Sequence, residues 1–284
     1  MVQELIIRLT SDKLPAVLHV QTTAIKAIME FMGERRIPQI MPLLLSPITD
    51  PLNHSVFDAE IEYYDQRLQL TKSMTMHKPL ILMGKLKAFY CFSPNIRLEL
   101  KELADTGRHL IEFTQLEMEF KDYNKWKFME FVEGLVRHVI ARVKDECEKE
   151  LKLLGRELRV PKRRFKKYES SELASRFGPG FEERASEEEE EPFWILDFKR
   201  EFYDREDKQQ RGYYHNYDLV WPEGFGEALS GGEREYEYEE VIRKMKEQGM
   251  DLSKYSVYLE ILKTGKVPKT AGGGLGIELS LIHI

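Results

Sequence analysis

The stretch Ile96–Phe120, IRLELKELADTGRHLIEFTQLEMEF, reads as two strands around a turn. Ile96, Leu98 and Leu100 alternate with Arg97, Glu99 and Lys101. On the return arm Phe113, Leu116 and Met118 separate Glu112, Gln115, Glu117 and Glu119. Period two of this kind marks half-buried strands, and Ala104–His109 between them has the composition of a loop tip. An arginine at the root, Arg-His on the loop and a Glu-rich return arm suit a nucleotide grip. Arg97 would hold one phosphate, His109 or Arg108 a second, and Phe113 would stack on a base. The same spacing fits a surface hairpin with solvated charges, so the rest of the chain must decide.

With 284 residues, 42% of them hydrophobic, the chain can bury a sizeable core as one large domain or two small ones. A net charge of -6 and a pI near 5.8 argue against a broadly basic nucleic-acid surface while leaving room for a local patch. Cys91 and Cys147 lie in unrelated contexts and form no metal or disulfide pattern, which suggests a reduced, cytosolic protein. The N-terminus has no basic-then-apolar leader, and no apolar run is long enough to cross a bilayer.

In chain order, Leu14–Met32 has helical spacing, with Gly33 placed as a cap. Prolines confine Ile37–Leu45 to an edge strand or interface. Ser46–Leu52 is a structured loop whose continuation to Ser55 could act as a lid. Glu60–Leu70 alternates as strand, and Thr71–Gly84 opens a helix with Ser73 as N-cap. Lys87–Phe92 is a strand leading into the hairpin, and Asn124–Leu154 a long amphipathic helix. Residues 156–191 run from basic (Lys162–Lys167) to acidic (Glu187–Glu191) and read as a solvated excursion rather than an RNA-binding segment. Pro192–Phe198 and Asn216–Val220 are strands, and Gly224–Arg234 is a strand entering a glycine turn. Glu235–Gln248 and Ser253–Lys263 are helical. The order predicts an α+β domain with a mostly antiparallel sheet.

Four segments carry a resemblance. The hairpin is similar to motif 2 of class II aminoacyl-tRNA synthetases of the aspartyl, asparaginyl and lysyl branch. Leu14–Pro42 resembles motif 1, Glu227–Arg234 the metal- and substrate-binding segment, and Ala271–Glu278 the start of motif 3. Ser46–Leu52, Ser93–Glu99, Arg200–Glu206 and Ser230–Glu239 look most like archaeal-type asparagine synthetases, which lack the anticodon-binding domain. Met1 lies only a short helix from motif 1, leaving no room for an N-terminal OB-fold barrel.

The resemblance implies one synthetase-like catalytic domain over residues 1–278, an antiparallel sheet flanked by helices, and a cytoplasmic enzyme that uses ATP and Mg²⁺. Arg97 would bind the α-phosphate as the catalytic group. Glu99 would receive the adenine amino group or orient Arg97. Arg108 and His109 would reach the outer phosphates, and Phe113 would stack on adenine. Glu227 and Ser230 would hold Mg²⁺ with hard oxygen ligands. Ser73, Thr75 and Lys78 would hold the amino acid, Lys78 with Arg234 clamping a carboxylate, and Gln115 with Glu117 taking the α-ammonium.

The implied reaction joins aspartate and ammonia, through an aspartyl-adenylate activated at the β-carboxylate, to give asparagine, AMP and pyrophosphate. Which carboxylate is activated stays open at this point. tRNA would be an improbable partner, and a homodimer would form through motif 1 and Pro42. Pro268-Lys-Thr-Ala-Gly lacks the histidine common before motif 3 in tRNA-charging relatives. After Glu278 the chain reads LSLIHI, which looks like translated sequencing adapter. Residues 279–284 are therefore expected to be a non-native tail standing where the motif 3 arginine and a further helix belong; without that helix one face of the sheet would expose apolar surface, weakening solubility and activity. His283 is given no role. Two alternatives stand: a tRNA-charging catalytic core, with Lys162–Lys167 as its local support, or a non-catalytic paralogue that binds amino acid.

Overall fold

The computed structural model describes residues 2–52, 55–101, 110–199 and 201–284. Helix α1 (Val2–Leu9) precedes α2 (Leu14–Glu34), whose Val20, Ala24, Ala27, Ile28 and Phe31 are buried at helical spacing. Gly33 lies inside α2, and the chain turns instead at Arg36, φ 53°. Residues 37–44 form no regular strand, because Pro38 and Pro42 lack donors. They run beside Tyr90 through one bridge at Gln39 before β1 (Leu45–Ser46). Next come β2 (Val56–Phe57), the hairpin β3 (Glu60–Tyr63) and β4 (Gln66–Leu70), and α3 (Lys78–Ile81). This helix is shorter than expected. Its N-cap is His77, while the Ser73 hydroxyl instead accepts from the Thr75 amide at 3.1 Å.

Strand β5 (Ala88–Ile96) is continuous where two segments were expected, and β6 (Leu98–Glu99) follows it. The return arm is β7 (Glu112–Lys121), pairing from Ile96↔Glu112 to Ala88↔Phe120. The long helix divides at Cys147 into α4 (Lys125–Glu146), N-capped by the Asn124 side chain, and α5 (Glu148–Leu154). The excursion is structured. It contains β8 (Lys166–Glu169), α6 (Ser170–Phe177) and α7 (Phe181–Glu188). Strands β9 (Phe193–Leu196), β10 (Asn216–Trp221) and β11 (Gly226–Glu233) follow, then α8 (Tyr238–Glu247) and α9 (Ser256–Lys263). The chain ends in β12 (Thr270–Gly276) and α10 (Ile277–His283). Gly231 and Gly232 lie within β11, not in a turn.

Seven strands form the main sheet in the order β5-β7-β12-β11-β10-β9-β8. All pairs are antiparallel except β8 beside β9. The result is a mostly antiparallel sheet flanked by helices, the α+β arrangement that the resemblance implies. On β7 the two-residue period divides the work. Leu116, Met118 and Phe120 enter the main core with α2 and α4, each stabilising by about 1.5–3 kcal/mol. Phe113, Gln115, Glu117 and Glu119 therefore project from the opposite face.

Residues 279–284 continue α10: Leu281 and Ile284 pack on the main core, and His283 stacks on Trp221 at 4.3 Å. Ile282 of the same turn stays exposed.

Candidate active site

Two cavities lie on the polar face of β7. The larger, about 460 Å³, is lined by Arg97, Glu99, Phe113, Phe181, Glu227 and Glu278 among others. The smaller, about 290 Å³, is lined by Asp50, Ser73, Thr75, Glu117, Tyr203, Asp204, Ser230 and Arg234 among others. They share Arg97, Gln115, Glu227 and Gly274, so these residues mark a junction.

Arg97 follows the end of β5, and its Nε donates to the Lys72 carbonyl at 3.2 Å. Its guanidinium stands 4.9 Å from the Phe113 ring centre, within cation–π range. Gln115 Oε1 accepts from Asn95 Nδ2 at 2.6 Å and keeps a second lone pair for a ligand. Floor space for these side chains comes from β12. A Cβ on Gly272 would overlap the Glu119 carboxylate, and one on Gly274 would come 3.1 Å from both Gln115 and Glu117. Only glycine leaves that room.

Glu227 and Ser230 are three residues apart, which in a regular strand places them on opposite faces. The β10–β11 ladder slips between Leu219 and Val220, leaving Ala228 as an extra residue. This bulge returns Glu227 and Ser230 to one side, where both line the smaller cavity. A carboxylate and a hydroxyl so placed suit a hard cation such as Mg²⁺.

The cations behave differently from the sequence expectation. Lys78 is wholly buried and does not line either cavity. Its Nζ meets Glu117 Oε2 at 2.6 Å and Glu119 Oε2 at 3.5 Å. It therefore cannot clamp a substrate carboxylate beside Arg234; it neutralises Glu117, which also accepts from the Met74 amide at 3.2 Å. Glu117 reaches the cavity wall as half of an internal ion pair, not as an unengaged ammonium ligand. Arg234 lies 3.3 Å from Glu119 Oε1 and 3.6 Å from Asp204 Oδ1. Burial opposes its charge, but those two carboxylates hold it above the ordinary guanidinium value. Ser73 and Thr75 line the smaller cavity as expected, and their hydroxyls bond each other at 2.7 Å. Arg108 and His109 lie outside the described residues, as do Asn53 and His54 of the expected lid.

Several lining residues are not among the site residues expected from the sequence, although Asp50, Tyr203, Asp204 and Glu278 fall in segments that carry the resemblance. Asp50, Tyr203 and Asp204 come from loops, with the Tyr203 hydroxyl donating to both Asp50 carboxylate oxygens at 3.1 and 3.2 Å. Phe181, Glu182 and Glu183 come from the region expected to be solvated. Glu278 turns inward to accept from the Thr114 amide at 2.9 Å. Away from both cavities, Cys147 Sγ lies within 4.8 Å of a ring nitrogen of His19 and a carboxylate oxygen of Glu150, so this cysteine is not isolated from other ligand-type groups. Its thiol bonds Thr23 and the His19–Glu150 pair closes on itself at 2.8 Å. Burial, together with the nearby Glu117 charge, pushes the Cys91 thiol up to about 12, so it is no nucleophile at neutral pH.

The family profile described as "tRNA synthetases class II (D, K and N)" matches residues 2–282. The chain belongs to this class II synthetase family. Among curated members, the asparagine–tRNA ligase of Pyrococcus abyssi is 28% identical over 98% of the chain and 68% of its own length. That of Pyrococcus furiosus is 27% identical over the same shares. The crystal structure of asparaginyl-tRNA synthetase from Pyrococcus horikoshii, complexed with asparaginyl-adenylate, superposes with a TM-score of 0.84 at 25% identity. It covers 97% of this chain and 66% of that one, so this synthetase-family chain spans about two thirds of its relatives' length. The expectation that tRNA is an improbable partner is overturned here: the relatives of this class II chain are themselves tRNA ligases. Among the described residues no helix is long and apolar enough to cross a membrane.

Proposed function

We propose that the chain uses ATP to activate an amino acid of the aspartate–asparagine pair as an adenylate, and that the acyl group then passes to tRNA, as the relatives' names indicate for them. The observation that carries this reading is the meeting of two cavities at Arg97. The larger suits adenosine, with Phe113 offering a ring face and Glu99 an acceptor; the smaller suits a short polar amino acid. At the junction a carboxylate oxygen attacks the α-phosphorus, the bond to the bridging oxygen breaks, and pyrophosphate leaves. Arg97, held by the Lys72 carbonyl, faces the oxygens on which charge grows. Glu227 and Ser230 would hold Mg²⁺, which supplies charge neutralisation on the phosphates. Gln115 is placed to orient the amino acid.

A second reading, ammonia-dependent synthesis of asparagine from aspartate, draws on the carboxylates around the smaller cavity. Asp50, Glu117, Glu201, Asp204 and Glu227 outnumber Arg97 and Arg234 there, a setting that favours cationic groups. Pyrophosphate exchange tests activation, and Arg97→Ala should slow it by about 10²-fold or more. Aminoacylation of tRNA transcripts, run beside assays for free asparagine from aspartate and ammonium, then separates the acceptors. No exchange with either amino acid would refute the proposal.

A further inference from the structure

We propose that Asp204 is a specificity-determining residue. It makes the arginine end of the smaller cavity accept a group carrying hydrogen-bond donors beside an acceptor, and reject a bare carboxylate. The inference deepens the activation reading and rests on it.

Asp204 and Arg234 face each other across an antiparallel bridge, so their side chains share one side of it. Both line the smaller cavity and neither lines the larger, which puts them beyond the junction. The pair is held firmly. Asp204 Oδ2 accepts from Asn216 Nδ2 at 2.9 Å, and its carbonyl accepts from the buried Lys244 Nζ at 2.6 Å. Lys244 is itself anchored to Glu235 at 3.0 Å.

A ligand meeting this pair finds a guanidinium that donates and a carboxylate that only accepts. A substrate carboxylate would satisfy Arg234 but lie against the Asp204 charge. Lys78 gives no relief, because it is turned to Glu117 and Glu119. Two groups complement the pair. One is the carboxamide of asparagine, oxygen to Arg234 and amide hydrogens to Asp204. The other is the α-amino-acid head of aspartate, carboxylate to Arg234 and ammonium to Asp204. The first places an α-carboxylate at Arg97, the second a β-carboxylate. The arrangement excluded is aspartate with its α-carboxylate at Arg97 and its β-carboxylate on Arg234.

Hydroxylamine trapping reads the orientation directly. Hydroxylamine attacks the acyl carbon of the adenylate, the acyl–phosphate bond breaks, and a hydroxamate and AMP result. The full chain is incubated with ATP, Mg²⁺ and hydroxylamine, with asparagine and aspartate in separate arms. The expected products are the α-hydroxamate from asparagine or the β-hydroxamate from aspartate. Aspartate α-hydroxamate should be lower by about 10-fold or more, because buried polar groups left mismatched discriminate strongly. Asp204→Asn should raise aspartate α-hydroxamate about 10-fold relative to the favoured product, while Asp204→Glu keeps the preference. Aspartate α-hydroxamate as the main wild-type product leaves activation standing and overturns the assignment. So does a folded Asp204→Asn protein with unchanged ratios. If that variant does not fold, the wild-type ratio decides. No hydroxamate and no exchange in any arm refutes the activation reading, and the Asp204 assignment falls with it.

Discussion

Lys78 and Glu117 are each almost completely shielded from water, and their charged atoms are 2.6 Å apart. Removing one partner leaves the other charge uncompensated in a medium that solvates it poorly. Lys78→Met should therefore cost about 3–5 kcal/mol in urea unfolding, whereas Lys78→Met with Glu117→Gln should recover most of it. Equal losses in the single and double variants would mean that the pair is not the source. This residue also shows where sequence reading stops. Gln115 is legible because it sits on an alternating strand whose buried face is obvious, and Arg97 because it stands at the root of the same hairpin, just past the end of β5. Lys78 is expected to clamp a substrate carboxylate, but the carboxylate that meets it belongs to the protein and lies 39 positions away. Nothing in the local spacing tells a ligand-binding lysine from a neutralised one.

The elements were legible to different degrees for similar reasons. Strand β7 announced both of its faces, and α2 its buried stripe. Ser73 was misplaced as a helix cap because its hydroxyl closes a local turn with Thr75, a competing use of the same chemistry. Residues 156–191 were read as solvated from their charge. Yet Tyr168, Leu173 and Ala185 pack with Phe193 and Ile195, and the charges line the outside of that small core. Loop residues such as Asp50 and Asp204 obey no period, so the segments that carry the resemblance do not show which of their side chains faces the cavity. The bulge in β11 was likewise invisible, yet it decides whether Glu227 and Ser230 can act together. Glu227→Gln should raise the Mg²⁺ concentration for half-maximal exchange by about 10-fold. A metal response unchanged by Glu227→Gln would place the ion elsewhere.

For the molecule as a whole, one carboxyl pair ties stability to pH. A hydrogen bond with Asp197, burial and the Asp197 charge push Glu169 up to about 7 from a model-compound value of 4.5. The folded chain thus holds a proton that the unfolded chain releases between those values. The contribution to stability is fully present below about 4.5 and is lost as pH rises through about 7. Glu169→Gln should match the wild type in Tm near pH 5 and exceed it near pH 8. Parallel Tm curves across that range would show that the pair does not titrate in this window.

Strand β8, which carries Glu169 at its end, joins the sheet through β9 alone and runs parallel to it. Exposed Lys166 and Lys167 guard that edge against pairing with another chain. The chain then passes through α6 directly into Phe181, Glu182 and Glu183 on the wall of the larger cavity. Nucleotide that presses on this wall restrains a segment whose other end is the least supported rung of the sheet. Amide hydrogen exchange over residues 166–169 should then slow when ATP is added, making the sheet's outermost strand a remote reporter of occupancy.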